Sequence, residues 1–386
     1  MSANAPPHTR PAAGPRPELA RVRRLAPLLR EREAHLLLVL DPVNLRYLTG
    51  FTGTNGLALL PAEPDGGGEG HGAWRFLTDF RYATQSAAQV PAPFERHVVA
   101  VNLLEGAAEL LDAAPGGRLG FEEGALTVKQ HARLRELLGE RWELVPCGGL
   151  VEWLREVKEP EEVRRIRAAA ALADEALAGV LEAGLVGRTE REVALDLEVR
   201  MRRLGAQAPS FPSIVAAGPH SALPHAEPRA QAIPPDTLVT IDWGALLDGY
   251  CSDCTRTYAT GERLSDEARA IHALVLEAQL AGLAAARPGP DGKAVDAAAR
   301  EVIERAGHGE HFGHGLGHGV GLEVHEAPRL ARTAGEEPLR AGQVVTVEPG
   351  VYVPERFGVR IEDLVVLTED GCEVLSGLPK ELAVVA

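Results

Sequence analysis

Five histidines fall within residues 307–326, GHGEHFGHGLGHGVGLEVHE: His308, His311, His314, His318 and His325, interleaved with seven glycines. Neutral imidazole is a common metal ligand, and glycine lets backbone approach closely. So many glycines exclude an ordinary amphipathic helix, since each costs ~1 kcal/mol relative to alanine in a helix interior. Alone, the stretch reads equally well as a low-complexity loop that binds metal incidentally. Four carboxylates on strand-like segments tip the balance: Asp242 in LVTIDWGALL, Asp253 on the returning strand, Glu348 in VVTVEPG and Glu362 in GVRIEDLVV. A lone acid on a strand normally faces solvent. Acids that share an apolar sheet face repel each other and are costly to bury unless a cation neutralises them. With one imidazole, His318 or His314, the four form an oxygen-rich donor set. Such a set suits a pair of divalent ions such as Mn²⁺ rather than a lone structural zinc, which prefers Cys and His. Two ions ~3.5–4 Å apart can hold a hydroxide between them and polarise a carbonyl, which is hydrolytic chemistry. HExxH is absent, and no glycine spacing completes GxGxxG or the Walker pattern. No serine or cysteine shows a convincing pairing with a base.

The elements that must carry these residues can be traced along the chain. Residues 238–245 alternate as a strand, Asp248-Gly249 marks a two-residue hairpin turn, and residues 250–258 return. That register sets Asp242 opposite Thr255 and Gly244 opposite Asp253. The two aspartates become diagonal neighbours on one face, ~7–8 Å apart at the backbone and closer at the side chains. Residues 322–325 read as extended, with Glu323 and His325 on a shared face. Residues 343–348 form a strand stopped by Pro349-Gly350. Residues 359–367 form the next, with Arg360 and Glu362 on one face, and residues 350–358 are the loop between them. Upstream, Pro160 with Glu161 and Glu162 opens a helix to about residue 183. Thr189 and Glu192 make a capping box for a second helix, which ends near Gly205, and residues 210–216 read as a strand. The stretch 218–228, GPHSALPHAEP, is a rigid non-helical loop with three prolines. It carries His220 and His225, ordinary exposed histidines unless the downstream acids come near. Residues 265–286 and 294–306 are Ala-rich amphipathic helices; His272, on the first, reads as surface or packed.

The 386 residues predict two or three domains with ample core. Residues 1–17 are Pro-rich, lack an apolar signal core and read as a disordered tail. Residues 18–155 read as an α/β domain, with strands near 36–40, 56–60, 74–78 and 118–121 and helices near 83–89, 103–113 and 127–138. A flexible Gly-rich loop spans 64–72. No catalytic constellation occurs there. His97 and His131 are isolated, and Arg46 and Tyr47 either pack or face a site. The larger domain runs over 156–386. A net charge of −15 opposes a nucleic-acid surface. Cys147, Cys251, Cys254 and Cys372 are too few and scattered for a disulfide framework, and the CxxC lies on a strand with no second pair, so its cysteines are structural. No apolar run approaches the ~18 residues of a membrane span, so a cytoplasmic protein is expected.

The order Asp242, Asp253, His318, Glu348, Glu362, with HGLGHGVGLEVHE, VEPG and GVRIED, resembles the pita-bread metallopeptidases: prolidase, aminopeptidase P and methionine aminopeptidase. NLRYLTGF in the first domain is similar to the creatinase, prolidase and aminopeptidase P branch. The resemblance implies an α/β N-terminal domain followed by an α+β pita-bread domain, and a homodimer. It implies two divalent ions per chain, with Mn²⁺ first and Co²⁺ or Zn²⁺ as the other choices. Asp242 would bind one ion, Asp253 and Glu362 would bridge both, and His318 and Glu348 would complete the other. Glu348 would shuttle a proton as hydroxide attacks the scissile carbonyl. His325 would contact substrate and stabilise the tetrahedral intermediate, and His225 lies on a loop that in the family closes over the substrate. His314 would orient the ligands, and Arg360 would hold a ligating carboxylate by a charge-assisted pair. The branch acts on bonds whose second residue is proline, so small proline-containing peptides are the expected partners. Arg329, in HEAPR, resembles the arginine with which prolidases take the free carboxylate. The resulting expectation is an Xaa-Pro dipeptidase. The alternatives are an aminopeptidase P acting on longer peptides and, more remotely, a non-catalytic peptide-binding protein. Creatinase and metal-free binding modules share the fold without the ligands, and the five ligands present here oppose both.

Overall fold

The computed structural model describes residues 16–63, 72–100 and 102–386. The expected tail, apart from residues 16–17, and the Gly-rich loop at 64–71 lie outside the described residues. The chain divides into two compact units, up to Arg155 and from Glu156. No helix among the described residues is long and apolar enough to cross a membrane.

The first unit is a six-stranded mixed sheet flanked by helices. Its strands are β1 (Leu36–Val39), β2 (Gly56–Pro61), β3 (Arg75–Asp79), β4 (Glu95–Val99), β5 (Gly117–Phe121) and β6 (Trp142–Pro146), in the order β4-β3-β2-β1-β5-β6. The central strand β1, LLLV, is buried at every residue. That accords with a continuous apolar run rather than an alternating one. The helices are α1 (Pro17–Glu31), α2 (Pro42–Thr49), α3 (Ala83–Gln89), α4 (Leu103–Asp112), α5 (Val128–Leu138) and α6 (Leu150–Glu156). Helices α1, α2 and α6 and the edge strands β4 and β6 go beyond what the sequence reading anticipated. Asp41-Pro42 ends one element and starts the next, because the Asp41 carboxylate accepts from the Val43 and Asn44 amides at 2.8 and 3.0 Å and caps α2. Tyr47 packs inside this unit: it is buried, its hydroxyl donates to the Leu154 carbonyl at 3.1 Å, and the Arg21 guanidinium lies 4.1 Å above its ring. His131 stacks on Phe121 at 5.2 Å.

The second unit holds helices α7 (Pro160–Glu182), α8 (Glu190–Leu204), α9 (Asp266–Ala285) and α10 (Gly292–Arg305). Its strands are β7 (Ala208–Pro209), β8 (Ile214–Ala217), β9 (Leu238–Trp243), β10 (Ala245–Leu247), β11 (Tyr250–Cys251), β12 (Cys254–Ala259), β13 (Gly317–Gly319), β14 (Glu326–Leu330), β15 (Val344–Val347), β16 (Gly350–Val353), β17 (Phe357–Arg360), β18 (Asp363–Leu367) and β19 (Cys372–Val374). They form sheets ordered β11-β10-β7, β12-β9-β8 and β14-β13-β15-β18-β19, with β16-β17 as a separate hairpin. Two helix pairs cover apolar strands. Leu177, Leu197 and Met201 of α7 and α8 meet Val215, Ile241 and Trp243. Val275, Val295 and Ala299 of α9 and α10 meet Val345, Val359 and Val365. The expected capping box at Thr189 and Glu192 is present. His272 is buried, and burial lowers its pKa to about 4. None of the four cysteines forms a disulfide.

Several expectations need correction. Gly218–Ala222, in the stretch read as non-helical, form a 3₁₀ turn, and the strand expected at 250–258 is two, β11 and β12, with Ser252 and Asp253 between them. Residues 322–325 are not extended: the chain bends through 321–325 and the strand begins at Glu326. The Glu326 carboxylate accepts from the Glu323 amide at 3.0 Å and the Glu323 carbonyl accepts from Gly321 N at 3.0 Å, closing a local turn that overrides alternation. Residues 359–367 are two strands, interrupted where Glu362 leaves the ladder to bridge Thr255. The loop expected at 350–358 is the β16–β17 hairpin. The strand expected at 210–216 begins only at Ile214, as β8, after Pro212, which cannot donate to a ladder.

Candidate active site

The β9–β12 pairing has the register expected from the Asp248-Gly249 turn: Leu247 pairs with Tyr250 and Asp242 with Thr255. Asp253 lies in the gap between β11 and β12. One carboxylate oxygen each from Asp242, Asp253 and Glu362 lie within 4.8 Å of one another. Glu362 is drawn in by Thr255, whose hydroxyl donates to Glu362 Oε2 at 2.6 Å. The Thr255 carbonyl accepts from the Glu362 amide at 3.1 Å.

The His/Gly stretch supplies β13. Its glycines are required by close approach: a Cβ on Gly317 would stand 2.0 Å from the Thr346 carbonyl oxygen, and one on Gly319 2.2 Å from that of Ala327. Neighbouring backbone therefore presses on both sides of His318. Its Nδ1–H donates to the Gly319 carbonyl at 3.1 Å, which turns Nε2 toward the acids. Nε2 lies 3.3 Å from Glu348 Oε1 and 3.6 Å from Asp253 Oδ2. Thr346 links the two strands, accepting from the His318 amide at 3.1 Å and donating to Glu348 Oε1 at 3.2 Å. A buried pair on α10 holds the preceding loop. Arg300 is fixed by Asp296 at 2.7 Å and donates to the carbonyls of Phe312 and His314 at 2.9 and 2.6 Å. Asp296 accepts from the Leu316 amide at 3.0 Å.

Electrostatics divide the acids. Burial, then the charges of Glu362, Asp242 and Glu348, push the Asp253 carboxyl well above its usual range. Burial, then Glu348 and Asp242, do the same to Glu362. Burial also raises Asp242, although Arg360 opposes it. Burial acts to raise Glu348 too, but the hydrogen bond and charge of His318, helped by His314 and Arg360, bring it down to about 2. Asp242 Oδ1 is buried without a hydrogen-bond partner. An orphaned carboxylate oxygen, two neighbouring carboxyls that resist ionising and an imidazole nitrogen turned toward them together fit a site for divalent cations.

Arg360 is a four-way hub. It donates to Asp242 Oδ2 at 2.6 Å, Thr255 Oγ1 at 3.0 Å, Tyr352 Oη at 2.8 Å and the Pro224 carbonyl at 3.1 Å. Tyr352 in turn donates to His314 Nε2 at 3.0 Å, since His314 Nδ1–H is spent on the Gly315 carbonyl at 2.8 Å. Of the two imidazoles left open as ligands, His318 therefore faces the acids, and His314 connects to Asp242 through Tyr352 and Arg360. Thr255, Thr346, Tyr352 and the Asp296–Arg300 pair were not singled out from the sequence. Only Thr255 could have been, as the register partner of Asp242.

His225, His325 and Arg329 are exposed. The His325 ring packs edge-on against that of His318, with centroids 4.3 Å apart. Burial, the charge of His318 and then the charges of His225 and Arg329 lower the His325 pKa. Arg329 is the cross-strand partner of His318. His225 follows Pro224, whose carbonyl Arg360 holds. The structure thus gathers Asp242, Asp253, His318, Glu348 and Glu362, sets Arg360 against them, and leaves His225, His325 and Arg329 solvent-facing beside them.

Residues 164–369 match metallopeptidase family M24, and residues 21–157 match the creatinase/prolidase N-terminal domain. The chain is 36% identical over 367 residues to the Xaa-Pro dipeptidase of Pyrococcus furiosus, covering 94% of this chain and 99% of that one. Among solved structures, the Xaa-Pro dipeptidase from Bacillus anthracis superposes with a TM-score of 0.90 at 39% identity, covering 95% and 99% of the two chains. The X-Pro aminopeptidase from Thermotoga maritima gives 0.84 at 33% identity, covering 93% and 100%. The architecture is the α/β N-terminal domain and pita-bread domain that the resemblance implied. With both units matched and the likeness running nearly end to end, this chain belongs to metallopeptidase family M24.

Proposed function

We propose that the chain is a dinuclear-metal hydrolase of Xaa-Pro peptide bonds and, within that class, a dipeptidase (prolidase). The observation that carries the finer assignment is Arg329, an exposed guanidinium on β14 in cross-strand register with His318. A guanidinium there suits the free carboxylate of a substrate that ends at proline. The likeness to the Pyrococcus furiosus and Bacillus anthracis dipeptidases supports it. In this reading Asp242, Asp253, His318, Glu348 and Glu362 hold two divalent ions, with Mn²⁺ the first to test and Co²⁺ and Zn²⁺ next. When bound, such ions supply Lewis-acid polarisation of the scissile carbonyl and a water acidic enough to react near neutral pH. Glu348 takes the proton of the attacking water at a carboxylate oxygen and passes it to the leaving proline nitrogen. His325, whose pKa is lowered by partial desolvation of its ring and by its cationic neighbours, donates N–H to the oxygen on which charge develops. His225 contacts the substrate from the opposite loop. Arg360 fixes the Asp242 carboxylate and, through Thr255, that of Glu362. A homodimer and a cytoplasmic location belong to the same reading.

The test is turnover of Xaa-Pro dipeptides against Xaa-Pro-Yaa tripeptides with added Mn²⁺, alongside elemental analysis. The dipeptidase reading expects about two ions per chain, dipeptide preference, and loss of that preference in Arg329→Ala. Tripeptide preference would support an aminopeptidase P instead, the reading favoured by the likeness to the Thermotoga maritima enzyme. A chain that retains no metal and cleaves neither would be a peptide-binding protein on this fold.

A further inference from the structure

Residues 217–229 carry His225 to the edge of the acid cluster, and both ends of this segment finish on one carboxylate. Glu190, the first residue of α8, is 1% exposed. It accepts from the Ala217 amide at 2.9 Å, from the Arg229 amide at 2.9 Å and from the Arg229 guanidinium twice at 3.2 Å. Between these points it also meets His220 Nδ1 at 2.9 and 3.0 Å. Backbone bonds back up the clamp, because the Arg229 carbonyl accepts from Arg191 N at 3.1 Å and that of Gln231 from Glu190 N at 3.3 Å. Two further ties hold the middle: Gly358 N donates to Ser221 Oγ at 2.8 Å and Arg360 to the Pro224 carbonyl at 3.1 Å. The tip, with Leu223 and His225, faces solvent.

An acid buried this deeply is costly unless its oxygens are saturated with donors. Here they are, and the donors all belong to the segment that bears His225. The resemblance to the family implies a loop that closes over the substrate. In this chain both feet of that loop, at Ala217 and Arg229, are anchored on one carboxylate.

We propose that Glu190 is a positioning residue that pre-forms the 217–229 segment and so sets the place of His225. The proposal rests on the substrate-contacting role given to His225 above. It is tested with Glu190→Ala, Glu190→Gln, His225→Ala and the double variant E190A/H225A. The control is Glu192→Ala, which removes the capping box on the same helix without touching the loop. Three quantities are read: kcat and KM for an Xaa-Pro dipeptide with Mn²⁺, bound metal, and amide hydrogen exchange over residues 218–228.

The expected loss of kcat/KM in Glu190→Ala is on the order of 10–100-fold, the scale of a displaced contact residue. Metal content should stay full and exchange in 218–228 should quicken. Glu190→Gln, which keeps one acceptor oxygen for either the Ala217 or the Arg229 amide but turns an NH2 toward the other, should recover only part of the activity, and Glu192→Ala should change none of the three. In the His225→Ala background the further loss from E190A should shrink to less than about threefold, because both act through one side chain. An undiminished loss in that background, loss of metal together with activity, or unchanged exchange in Glu190→Ala would overturn the proposal. If His225→Ala alone has no effect, the role given to His225 fails. The clamp then stands if exchange quickens in Glu190→Ala and falls if it does not.

Discussion

Replacing Asp253 by asparagine should stabilise the metal-free protein and destroy its response to metal. Asp253 is 5% exposed, and its ligand oxygen lies within 4.8 Å of those of Asp242 and Glu362. Two unit charges at that distance repel by about 3.5 kcal/mol at an effective dielectric of ~20. The attraction to His318 Nε2, 3.6 Å away, offsets part of this, but that imidazole is closer to Glu348, at 3.3 Å. The folded protein avoids the rest by keeping protons on the cluster, since burial and then its acidic neighbours raise Asp253 well above the usual carboxylate range. The sign follows from linkage. An acid whose pKa is raised on folding contributes fully below its unfolded value, about 4, and its contribution is lost as pH rises toward the folded one. Metal-free wild type should therefore lose stability from about pH 4 upward, and Asp253→Asn should lose less. At pH 8 the variant should be the more stable by roughly 2–4 kcal/mol, or about 4–16 °C in melting temperature for a unit of this size. Thermal melts in EDTA at pH 5 and pH 8 measure this. Added Mn²⁺ should invert the order, because wild type gains about 2.7 kcal/mol per site at a hundredfold excess over Kd and the variant gains nothing. A variant less stable than wild type in EDTA at pH 8, or a difference identical at both pH values, would refute the reasoning.

Three other perturbations test the scaffold. Gly319→Ala would put a Cβ 2.2 Å from the Ala327 carbonyl, so it should cost about 3 kcal/mol or more and abolish metal uptake, read by melting and elemental analysis. Arg360→Lys leaves one point charge where four acceptors were served, and metal affinity by titration should fall roughly 10–100-fold. In the first unit, burial raises Glu122 to about 7 against bonds from the Asp41 and Leu40 amides and from Asn44. Its contribution should be full below about pH 4.5 and lost as pH rises through 7, worth about 3 kcal/mol. Glu122→Gln should flatten the stability profile between pH 5 and 9, and an unchanged slope would count against the assignment.

The parts of the fold that could be read from the chain are those set by local chemistry. Asp248-Gly249 defines a turn, the turn defines a register, and the register brings Asp242 and Asp253 together without reference to anything distant. The capping box at Thr189 and Glu192 is equally local. Misreadings came where a bond outside the apolar pattern intervened, from a distant strand in one case and from three residues on in the other. The apolar run through Glu362 looks like one strand, yet it breaks because the Glu362 amide bonds to the Thr255 carbonyl. Alternation at 322–325 looks extended, yet the Glu326 carboxylate folds it into a turn. The edge strands β4 and β6 expose several residues and carry no clean alternation, so their pattern resembles that of a loop.

The same distinction separates the residues of the site. Donor atoms advertise themselves, because acids in apolar strands and histidines among glycines are unusual. The groups that aim them do not: Thr255, Tyr352, Arg300 and Glu190 are common residue types whose meaning lies in partners on other elements of the fold. Those partners also allocate charge unevenly. Arg360 is committed to Asp242 at 2.6 Å, and His318 lies nearest Glu348 at 3.3 Å. Glu362 is met by the neutral Thr255 hydroxyl, and Asp253 by the His318 ring only at 3.6 Å. Asp253 and Glu362 are also the carboxyls that burial and mutual repulsion push furthest from ionising. The deficit of positive charge is therefore concentrated on two acids that lie side by side. That is where a cation would relieve the most repulsion.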